Sequence, residues 1–429
     1  MKILRYPEKE NWQKLLQRPV FDYRALEDKV QAIIDHVSCN GDQALKALTL
    51  KYDAVDLDTL EVDAEEIHAA EKLVSDDLKR AIEIAQRNIK TFHEKQIYPI
   101  ERIVTTSGVH CWQKPVPIKK VGLYIPGGSA PLLSTVLMLG IPANIAGCSE
   151  VILCTPPDKE GKVHNAILYI AGLLSITKVF CVGGVQAIAA MAFGTESIPA
   201  VNKIFGPGNK YVTMAKQIVS REKVAIDLPA GPSELAVVAD TTSNPAFIAS
   251  DLLSQAEHGP DSQVLLVTDS GGIIGQVQAE IKAQLASLPR KDIVTEALNN
   301  SKMVLLKDQK EVMDLINMYA PEHLILATEN CRDLADRVIN AGSVFLGEYT
   351  PESAGDYASG TNHTLPTNGW AHAYSGVNMD SFYKKITFQE ISEYGLNNIG
   401  DSIMTLAEAE KLQAHRNAVA IRLKSIRNG

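Results

Sequence analysis

The chain has 429 residues, 45% of them hydrophobic, and a formal net charge of −9. This length suffices for roughly two to four domains, and the acidic balance, without lysine or arginine clusters, argues against nucleic-acid binding. The N-terminus MKILRYPEKENW lacks the apolar core of a signal peptide, no apolar run approaches the about 20 residues of a membrane span, and the six cysteines show no CxxC spacing. We therefore expect a globular cytoplasmic protein with reduced thiols and with no nucleic-acid or membrane partner.

Residues 1 to about 100 are predicted to be helical. Apolar residues recur at helical spacing over residues 64–72 and 76–96, and Asn40-Gly41 predicts a break between helices. From Gly108 onward the apolar residues alternate as in a strand, so an α/β region is expected to begin there.

Short apolar strands then alternate with helical segments in two successive series. The first series has the strands VGLYIP, VILCTP, KVFCVGG and NKIFGPG, with helices over residues 131–147, 163–174, 185–193 and 208–221. The second has the strands ELAVVAD, QVLLVTD, KMVLLK, HLILAT and SVFLG, with helices at DLLSQAEHGPDSQ, 272–288 and 310–319. This rhythm predicts two lobes of stacked βαβ units. Ligands of such folds bind beyond the carboxyl ends of the strands, so a site is expected in those loops and in the cleft between the lobes.

Beyond Tyr349 the pattern changes to a polar loop followed by helices. The loop covers residues 351–369, and helices are predicted over residues 387–396 and 401–426. The last helix has an apolar face at a period of 3.6, which needs either another domain or another subunit to cover it.

Three glycine turns in the first series point to a nucleotide-sized ligand. They lie at residues 124–131, 182–189 and 205–209, each where a strand passes into a helix, which is the usual setting for holding a phosphate on backbone N–H groups. None has the G-x-G-x-x-G spacing, so each alone is also explained as an ordinary tight turn. The amides of Gln186 and Asn209 stand at helix starts, where they can hold a nicotinamide, a ribose or a phosphate, although Asn209 can equally cap its own helix.

The segment DLLSQAEHGPDSQ places two polar side chains at the end of a helix. Gln255 and His258 are three residues apart, so they project to one side just before the stop made by Gly259 and Pro260. They can share a metal or a substrate, but His258 can also act as a C-terminal helix cap, and taken alone the cap is the favoured interpretation.

The segment APEHLIL puts Glu322 beside His323 at the entrance to a strand. Histidine has an ordinary pKa of about 6.5, so a carboxylate next to it makes a good acid/base pair near neutral pH. A surface pair without function is about as well supported. Ser233, in the segment AIDLPAGPSE between the lobes, lies where a hinge would face the cleft, although most turn hydroxyls act only locally.

The polar loop and the last helix supply further candidates. Loops as long as residues 351–369 are usually either disordered or functional, which makes Asp356 and His363 candidate ligands or substrate contacts. Glu410 and His415 lie on the predicted last helix, where five residues of separation turn them about 140° apart. One set of candidates offers the nitrogen and oxygen ligands that Zn²⁺ or a similar divalent ion prefers. It consists of Gln255, His258, Asp356 and His415. Glutamine is an uncommon metal ligand, so Gln255 is its weakest member.

Together these segments resemble the histidinol dehydrogenase family. The motifs that carry the resemblance span essentially the whole chain and are long, hence specific: VGLYIPGGSAPL, GTESIPAVNKIFGPGN, DLPAGPSE, DLLSQAEHGPDSQV, PEHLI, GSVFLGEYTPESAGDYASGTNHTLPT and AEKLQAHRNAV.

The resemblance implies a role for each matching residue. It implies Zn²⁺ held by Gln255, His258, Asp356 and His415, and a catalytic pair of Glu322 and His323. It implies NAD contacts at Tyr124, Gln186 and Asn209. Substrate contacts are implied at Ser233, His363 and Glu410, in addition to the metal ligands and His323.

The resemblance also implies a fold, an assembly and a reaction. The expected fold is α/β, with two tandem, incomplete Rossmann-like lobes and helical N-terminal and C-terminal segments used in an intertwined homodimer, whose C-terminal segment completes the neighbouring site. The expected domains are an N-terminal helical segment, a metal-binding and catalytic lobe, an NAD lobe and a C-terminal helical segment: residues 1–24, 25–118 with 234–378, 119–233, and 379–429. The implied reaction is the oxidation of L-histidinol by two NAD⁺ to L-histidine through L-histidinaldehyde, in the last steps of histidine biosynthesis.

Two other functions remain compatible with the residues alone. A zinc hydrolase would use Glu322 to activate a metal-bound water and would need no NAD. A binding protein without catalytic activity would use the cleft between two lobes only to hold a ligand.

Overall fold

The computed structural model describes residues 1–18, 23–127, 131–229 and 231–428. It shows a mixed α/β protein that divides into two compact units, residues 1–96 with 118–382 and residues 97–117 with 383–429. All six cysteines are free thiols, as expected from their spacing. Within the described ranges, no helix is both long and apolar enough to cross a membrane.

The chain begins with one strand and a group of helices before it enters an antiparallel pair. In order these are β1 (Lys2–Arg5), α1 (Trp12–Leu15), α2 (Tyr23–Asp53), α3 (Ala64–Ala69), α4 (Asp76–Glu94), β2 (Ile103–Thr106) and β3 (Val109–Pro117). The predicted break at Asn40-Gly41 is a kink inside α2, where Gly41 has a φ of 52° and a ψ of −132°. Glycine adopts this left-handed conformation without the steric cost that a side chain adds.

The first parallel sheet has five strands. Its elements are β4 (Lys120–Tyr124), α5 (Leu133–Ala146), β5 (Glu150–Thr155), α6 (Asn165–Leu173), β6 (Lys178–Cys181), α7 (Gly184–Phe193), β7 (Lys203–Phe205), α8 (Lys210–Ser220) and β8 (Ala225–Ile226). The strand order is β6-β5-β4-β7-β8, so the direction of winding reverses between β4 and β7. The carboxyl ends of β4 and β7 therefore form a topological switch point, the usual ligand position in open α/β sheets.

The second parallel sheet has six strands. Its elements are β9 (Glu234–Ala239), α9 (Pro245–Ala256), β10 (Gln263–Thr268), α10 (Gly271–Leu285), α11 (Lys291–Asn300), β11 (Lys302–Leu305), α12 (Gln309–Tyr319), β12 (His323–Ala327), α13 (Cys331–Ala335) and β13 (Ser343–Leu346), followed by α14 (Glu352–Tyr357). The strand order is β1-β11-β10-β9-β12-β13. Strands β9, β10 and β12 are buried on both faces, which explains why their sequences are continuous apolar runs rather than alternating ones.

The second unit contains a small antiparallel sheet and two helices. These are β2, β3 and β14 (Tyr383–Ile391), in the order β14-β3-β2, and the helices α15 (Glu393–Ala409) and α16 (Gln413–Asn428). Cross-strand partners Trp112 and Phe388 stack with their ring centroids 5.3 Å apart. Such aromatic pairs stabilise neighbouring strands beyond the ladder hydrogen bonds.

Several predictions about the chain's ends were wrong. The first residues are not all helical, because β1 adds in parallel to β11 at the edge of the six-stranded sheet. The predicted helix over residues 387–396 is helical only from Glu393, where α15 begins. Residues 387–391 are instead the end of β14, which pairs with β3 along all nine of its residues. The predicted last helix is two helices, because the chain turns between α15 and α16, with Lys411 at a φ of 59°.

The polar loop predicted at residues 351–369 is also partly helical. Its first residues form α14, which carries Asp356. Glu352 begins this helix and lies four residues before Asp356, so both carboxylates project from the same face. The fold thereby places Glu352, a second acidic side chain, beside the single predicted carboxylate of Asp356.

Candidate active site

The predicted acid/base pair is buried at the start of β12. Glu322 is 6% exposed and His323 is 3% exposed, and His323 Nδ1 lies 3.7 Å from Glu322 Oε2. Two ionisable side chains buried this deeply are rare without a partner or a function, so the alternative of a surface pair is wrong. Their position also differs from the expectation for α/β lobes, because they lie at the amino end of a parallel strand.

The main chain of Glu234 contacts both members of this pair. Its N–H donates to Glu322 Oε2 over 2.8 Å, and its carbonyl oxygen lies 3.2 Å from His323 Nδ1. A carbonyl oxygen can only accept, so this hydrogen bond puts the ring proton on Nδ1 and leaves Nε2 as the basic nitrogen of His323. Glu234 begins β9, and hence the amino ends of two adjacent strands build this part of the site.

Gln255 lies at the end of α9 and is fully buried beside the pair. With its amide nitrogen toward its neighbours, that nitrogen lies 2.7 Å from Glu352 Oε1, 3.2 Å from the Glu234 carbonyl oxygen and 3.0 Å from His323 Nδ1. The amide nitrogen has two hydrogens, so it can donate to the carboxylate and to the carbonyl without donating to Nδ1. The amide oxygen of Gln255 is then free to accept or ligate on its other side.

Three further side chains converge next to Gln255. His258, Glu352 and Asp356 each offer a ligand atom within 4.8 Å of the others, and His258 Nε2 lies 3.8 Å from Asp356 Oδ2. Buried His323 Nε2 finds no hydrogen-bond partner among the described residues and lies 3.7 Å from Asp356 Oδ1. The donors suit Zn²⁺, which prefers imidazole nitrogen and carboxylate oxygen, and the unpartnered nitrogen points to a ligand that completes the group.

Burial and mutual charge control the protonation of this cluster. Burial raises the pKa of Glu322 and of Glu352, each to about 8. Burial alone would lower the pKa of His323, but the surrounding carboxylates, Glu322 first among them, outweigh it and raise that pKa. Burial also opposes ionisation of Asp356, yet its histidine neighbours, His323 first among them, outweigh burial and lower the pKa. Asp356 is thus the carboxylate best prepared to hold a cation.

His363 joins the cluster from the far side of Asp356. Its Nδ1 donates to the Asp356 carbonyl oxygen over 3.0 Å, and its Nε2 lies 3.3 Å from the hydroxyl of Thr135 on α5. Burial lowers the pKa of His363, which keeps the ring neutral. The structure thus brings His363 to the predicted site and ties it to a helix of the first sheet.

The predicted cofactor residues lie at the carboxyl edge of the first sheet. Tyr124 ends β4, is buried, and accepts a hydrogen bond from the Gly184 N–H at the start of α7 over 3.1 Å. Gln186 is buried in the first turn of α7. Asn209 caps α8 by accepting from the N–H groups of Tyr211 and Val212, which confirms the capping alternative and leaves its amide N–H groups for a ligand.

For three predicted residues the described part of the chain shows no contact with this cluster. Ser233 is half-buried immediately before Glu234, whereas Glu410 and His415 are exposed in the second unit. Glu410 follows α15 and His415 lies on α16, so they do not share one helix as predicted. Part of the turn predicted at residues 124–131, namely 128–130, lies outside the described residues.

Glu352 and Glu234 are site residues that the sequence analysis missed. The signal for Glu352 was its spacing of four from Asp356, which was overlooked because the segment was assigned to a loop. For Glu234 no such signal exists, since its main chain makes the contacts and any residue type provides the same N–H and carbonyl groups.

Comparison with known proteins identifies the relatives of this chain. The family model described as histidinol dehydrogenase matches residues 16–423. A histidinol dehydrogenase of Bacteroides thetaiotaomicron is 58% identical over 427 residues, with 100% of each chain covered. That of Escherichia coli strain K12 is 50% identical over 421 residues, covering 97% of this chain and 96% of its own.

A solved structure agrees with these sequence relatives. The crystal structure of histidinol dehydrogenase from Elizabethkingia anophelis superimposes with a TM-score of 0.97 at 52% identity, covering 100% of this chain and 99% of that one. The match therefore extends over the whole fold of this chain. This chain belongs to the histidinol dehydrogenase family.

Proposed function

We propose that this protein oxidises L-histidinol to L-histidine with two NAD⁺ and one water, through L-histidinaldehyde, in the last steps of histidine biosynthesis. The observation that carries the proposal is the buried pair of Glu322 and His323 beside the group of His258, Glu352 and Asp356, in a chain of this family. A cytoplasmic location is part of the same proposal.

The two buried residues divide the proton transfers of the two oxidation steps. Once the ring is neutral, His323 takes the hydroxyl proton of the alcohol through Nε2, because the Glu234 carbonyl holds the remaining ring proton on Nδ1. Glu322 activates the water that adds to the aldehyde, because a carboxyl with a pKa raised to about 8 is a stronger base once ionised. Each step then releases a hydride, for which NAD⁺ is the acceptor.

The donor set fits a zinc ion. In the proposed arrangement Gln255, His258 and Asp356 hold it, together with His415. When bound, zinc would supply a positive template that anchors nitrogen atoms of histidinol. Glu352 orients the Gln255 amide by accepting from its nitrogen, so the amide oxygen is presented to the ion. Ser233, His363 and Glu410 are proposed to contact the substrate.

The first sheet is proposed to bind NAD. Tyr124, Gln186 and Asn209 all lie at its carboxyl edge, beside the switch point between β4 and β7. The strand order of each parallel sheet supports two incomplete Rossmann-like lobes in tandem. The lobe division at residues 119–233, with 25–118 and 234–378 in the other lobe and 1–24 and 379–429 as helical segments, remains our prediction.

We also propose a homodimer in which the C-terminal segment completes the neighbouring site. The second unit exposes large apolar side chains, including Ile103 at 58%, Leu406 at 66% and Ile421 at 68%. Apolar side chains concentrated in a small unit are typical of a surface that another chain covers. His415 and Glu410, exposed in that unit, would then reach the site of the partner subunit.

The stoichiometry of NADH tests the proposed function. With zinc-loaded protein we expect about two NADH per histidinol consumed, and loss of activity after a chelator removes the ion. One NADH per histidinol would contradict the four-electron reaction. Hydrolysis of an amide or ester without NAD would favour the zinc hydrolase, and histidinol binding without any NADH would favour the binding protein.

A further inference from the structure

An arginine of the N-terminal segment reaches the strand that supports the catalytic pair. Arg18 follows α1, whose Trp12 is buried in the core cluster formed with residues of β9 and β12. Its guanidinium forms a fork with the Glu234 carboxylate, Nε to Oε1 over 2.5 Å and Nη2 to Oε2 over 2.8 Å. Nη2 also donates to the carbonyl oxygen of Tyr319 over 2.7 Å, and the guanidinium lies 4.0 Å from the centroid of that ring.

Hydrogen bonds to both oxygens restrain the Glu234 carboxylate. Besides the arginine fork, its Oε1 accepts from the N–H of Asn368 over 2.8 Å. The side chain of Glu234 is 3% exposed and that of Arg18 is 18% exposed, so water provides little replacement for either partner. A bidentate arginine–carboxylate pair is strong, and its two parallel hydrogen bonds fix the relative orientation of the two side chains. The pair therefore restrains the position of Glu234.

The position of Glu234 matters because its main chain holds both catalytic side chains. Its N–H donates to Glu322 and its carbonyl oxygen accepts from His323 Nδ1. Glu234 is the first residue of β9 and therefore stands where the parallel ladder with β10 begins. The arginine fork supplies a restraint through the side chain at the point where the ladder begins.

We propose that the buried Arg18–Glu234 pair is a positioning unit that aligns Glu322 and His323 for proton transfer, a role that rests on the catalytic function proposed above for that pair. Proton transfer requires donor and acceptor within hydrogen-bond reach, and a displacement of about 1 Å can cost about 100-fold in rate. Neither Arg18 nor Glu234 has to touch the substrate for this effect.

The test is a double-mutant cycle on the zinc-loaded protein with the variants R18M, E234Q and the combination. We expect each single variant to lower kcat about 10-fold or more, with the KM values for histidinol and NAD⁺ changed less than about twofold. The double variant should lose no more than the worse single variant, because one interaction has been removed in each case. Losses that multiply in the double variant would overturn the proposal.

A conservative variant and a matched control separate positioning from general destabilisation. R18K keeps the charge but not the fork, so kcat should recover at least about threefold relative to R18M. K9M removes another ion pair of the N-terminal segment, Lys9 with Asp314 over 2.7 Å, without touching Glu234, and should retain kcat. Losses in R18M that merely follow the unfolded fraction in thermal melting, with kcat per folded subunit unchanged, would refute a positioning role.

H323A provides the reference for the function on which the inference rests. If H323A is inactive while R18M has full kcat, the positioning role fails and the proposed catalytic pair stands. If H323A retains kcat, the proposed role of the pair fails, and the positioning role fails with it.

Discussion

At the scale of single residues, burial determines what the polar side chains of this site can do. Glu322, His323 and Glu352 are each less than 7% exposed, so their charges are set by one another rather than by water. The hydrogen bond of His323 Nδ1 to the Glu234 carbonyl selects the ring nitrogen that takes the proton. These assignments require distances, which is why the sequence could name the pair but not its tautomer or its burial.

The division of labour between Glu322 and His323 predicts unequal effects on the two oxidation steps. E322Q keeps an oxygen that can accept from the Glu234 N–H, so the site should stay folded. Alcohol oxidation should persist, whereas aldehyde oxidation should fall about 100-fold or more because the base for water is lost. Single-turnover NADH formation from histidinol and from histidinaldehyde measures both steps. Equal losses would contradict the division, and E296Q, an exposed change on α11, serves as the control.

Asp251 on α9 predicts a pH-dependent stability. Burial raises its pKa from 3.8 to about 7, so the folded protein binds this proton more tightly than the unfolded chain does. Stability from protonation is therefore present below about pH 4 and lost as the pH rises through about 7. D251N should be more stable than the parent protein, and its advantage should grow by about 2 kcal/mol between pH 5 and pH 8, after allowance for solvent screening.

Urea unfolding at the two pH values measures this difference. The exposed substitution D28N on α2 is the matched control and should show no such growth. An advantage of D251N that is constant with pH would show that Asp251 does not titrate between the two values.

At the scale of elements, the candidate site residues stand at opposite edges of the two parallel sheets. The predicted NAD residues stand at the carboxyl ends of the first sheet, as open α/β folds lead one to expect. The proposed catalytic pair and Glu234 stand at the amino ends of β12 and β9, where the end of α9 and the start of α14 bring Gln255 and Glu352 to them. The candidate residues of the second sheet therefore lie at the edge opposite to the one where open α/β folds usually bind ligands.

The glycine turn before α8 predicts a selective effect on cofactor binding. Gly206 has a φ of 129°, and a Cβ there would lie 2.1 Å from the carbonyl oxygen of Tyr124. G206A must displace main chain, so the KM for NAD⁺ should rise about 10-fold or more, and the protein should lose about 2 kcal/mol of stability.

Steady-state titration of each substrate in turn checks this prediction. The KM for histidinol should change much less than that for NAD⁺. G275A on α10 is the control, because a Cβ there meets nothing within 4 Å. Unchanged NAD⁺ kinetics in G206A would place the cofactor elsewhere.

At the scale of the whole molecule, the four proposed zinc ligands come from distant parts of the sequence. Gln255, His258 and Asp356 belong to the first unit and His415 to the second. If the second unit serves the partner subunit, a heterodimer of H258A with H415A contains one site with both histidines intact. Mixing the two inactive variants under verified subunit exchange should therefore restore activity, up to about a quarter or half of the parent level.

Histidinol-dependent NADH formation measures the recovery, and each variant mixed with itself is the control. No recovery despite subunit exchange would place His415 in the site of its own chain.

The sequence by itself determined the alternation of strands and helices, the adjacency of Glu322 and His323 and the spacing of Gln255 and His258, because each depends on residues close together in the chain. It failed where long-range pairing overrides local preference, as in β14, whose strand conformation is stabilised by pairing with β3. Only the tertiary structure decided that Glu352 joins the cluster and that Arg18 meets Glu234, 216 residues away. Such contacts depend on how the elements pack. A carboxylate can pair with many distant residues, and its partner is selected only when packing excludes water and brings one of those residues within hydrogen-bond distance.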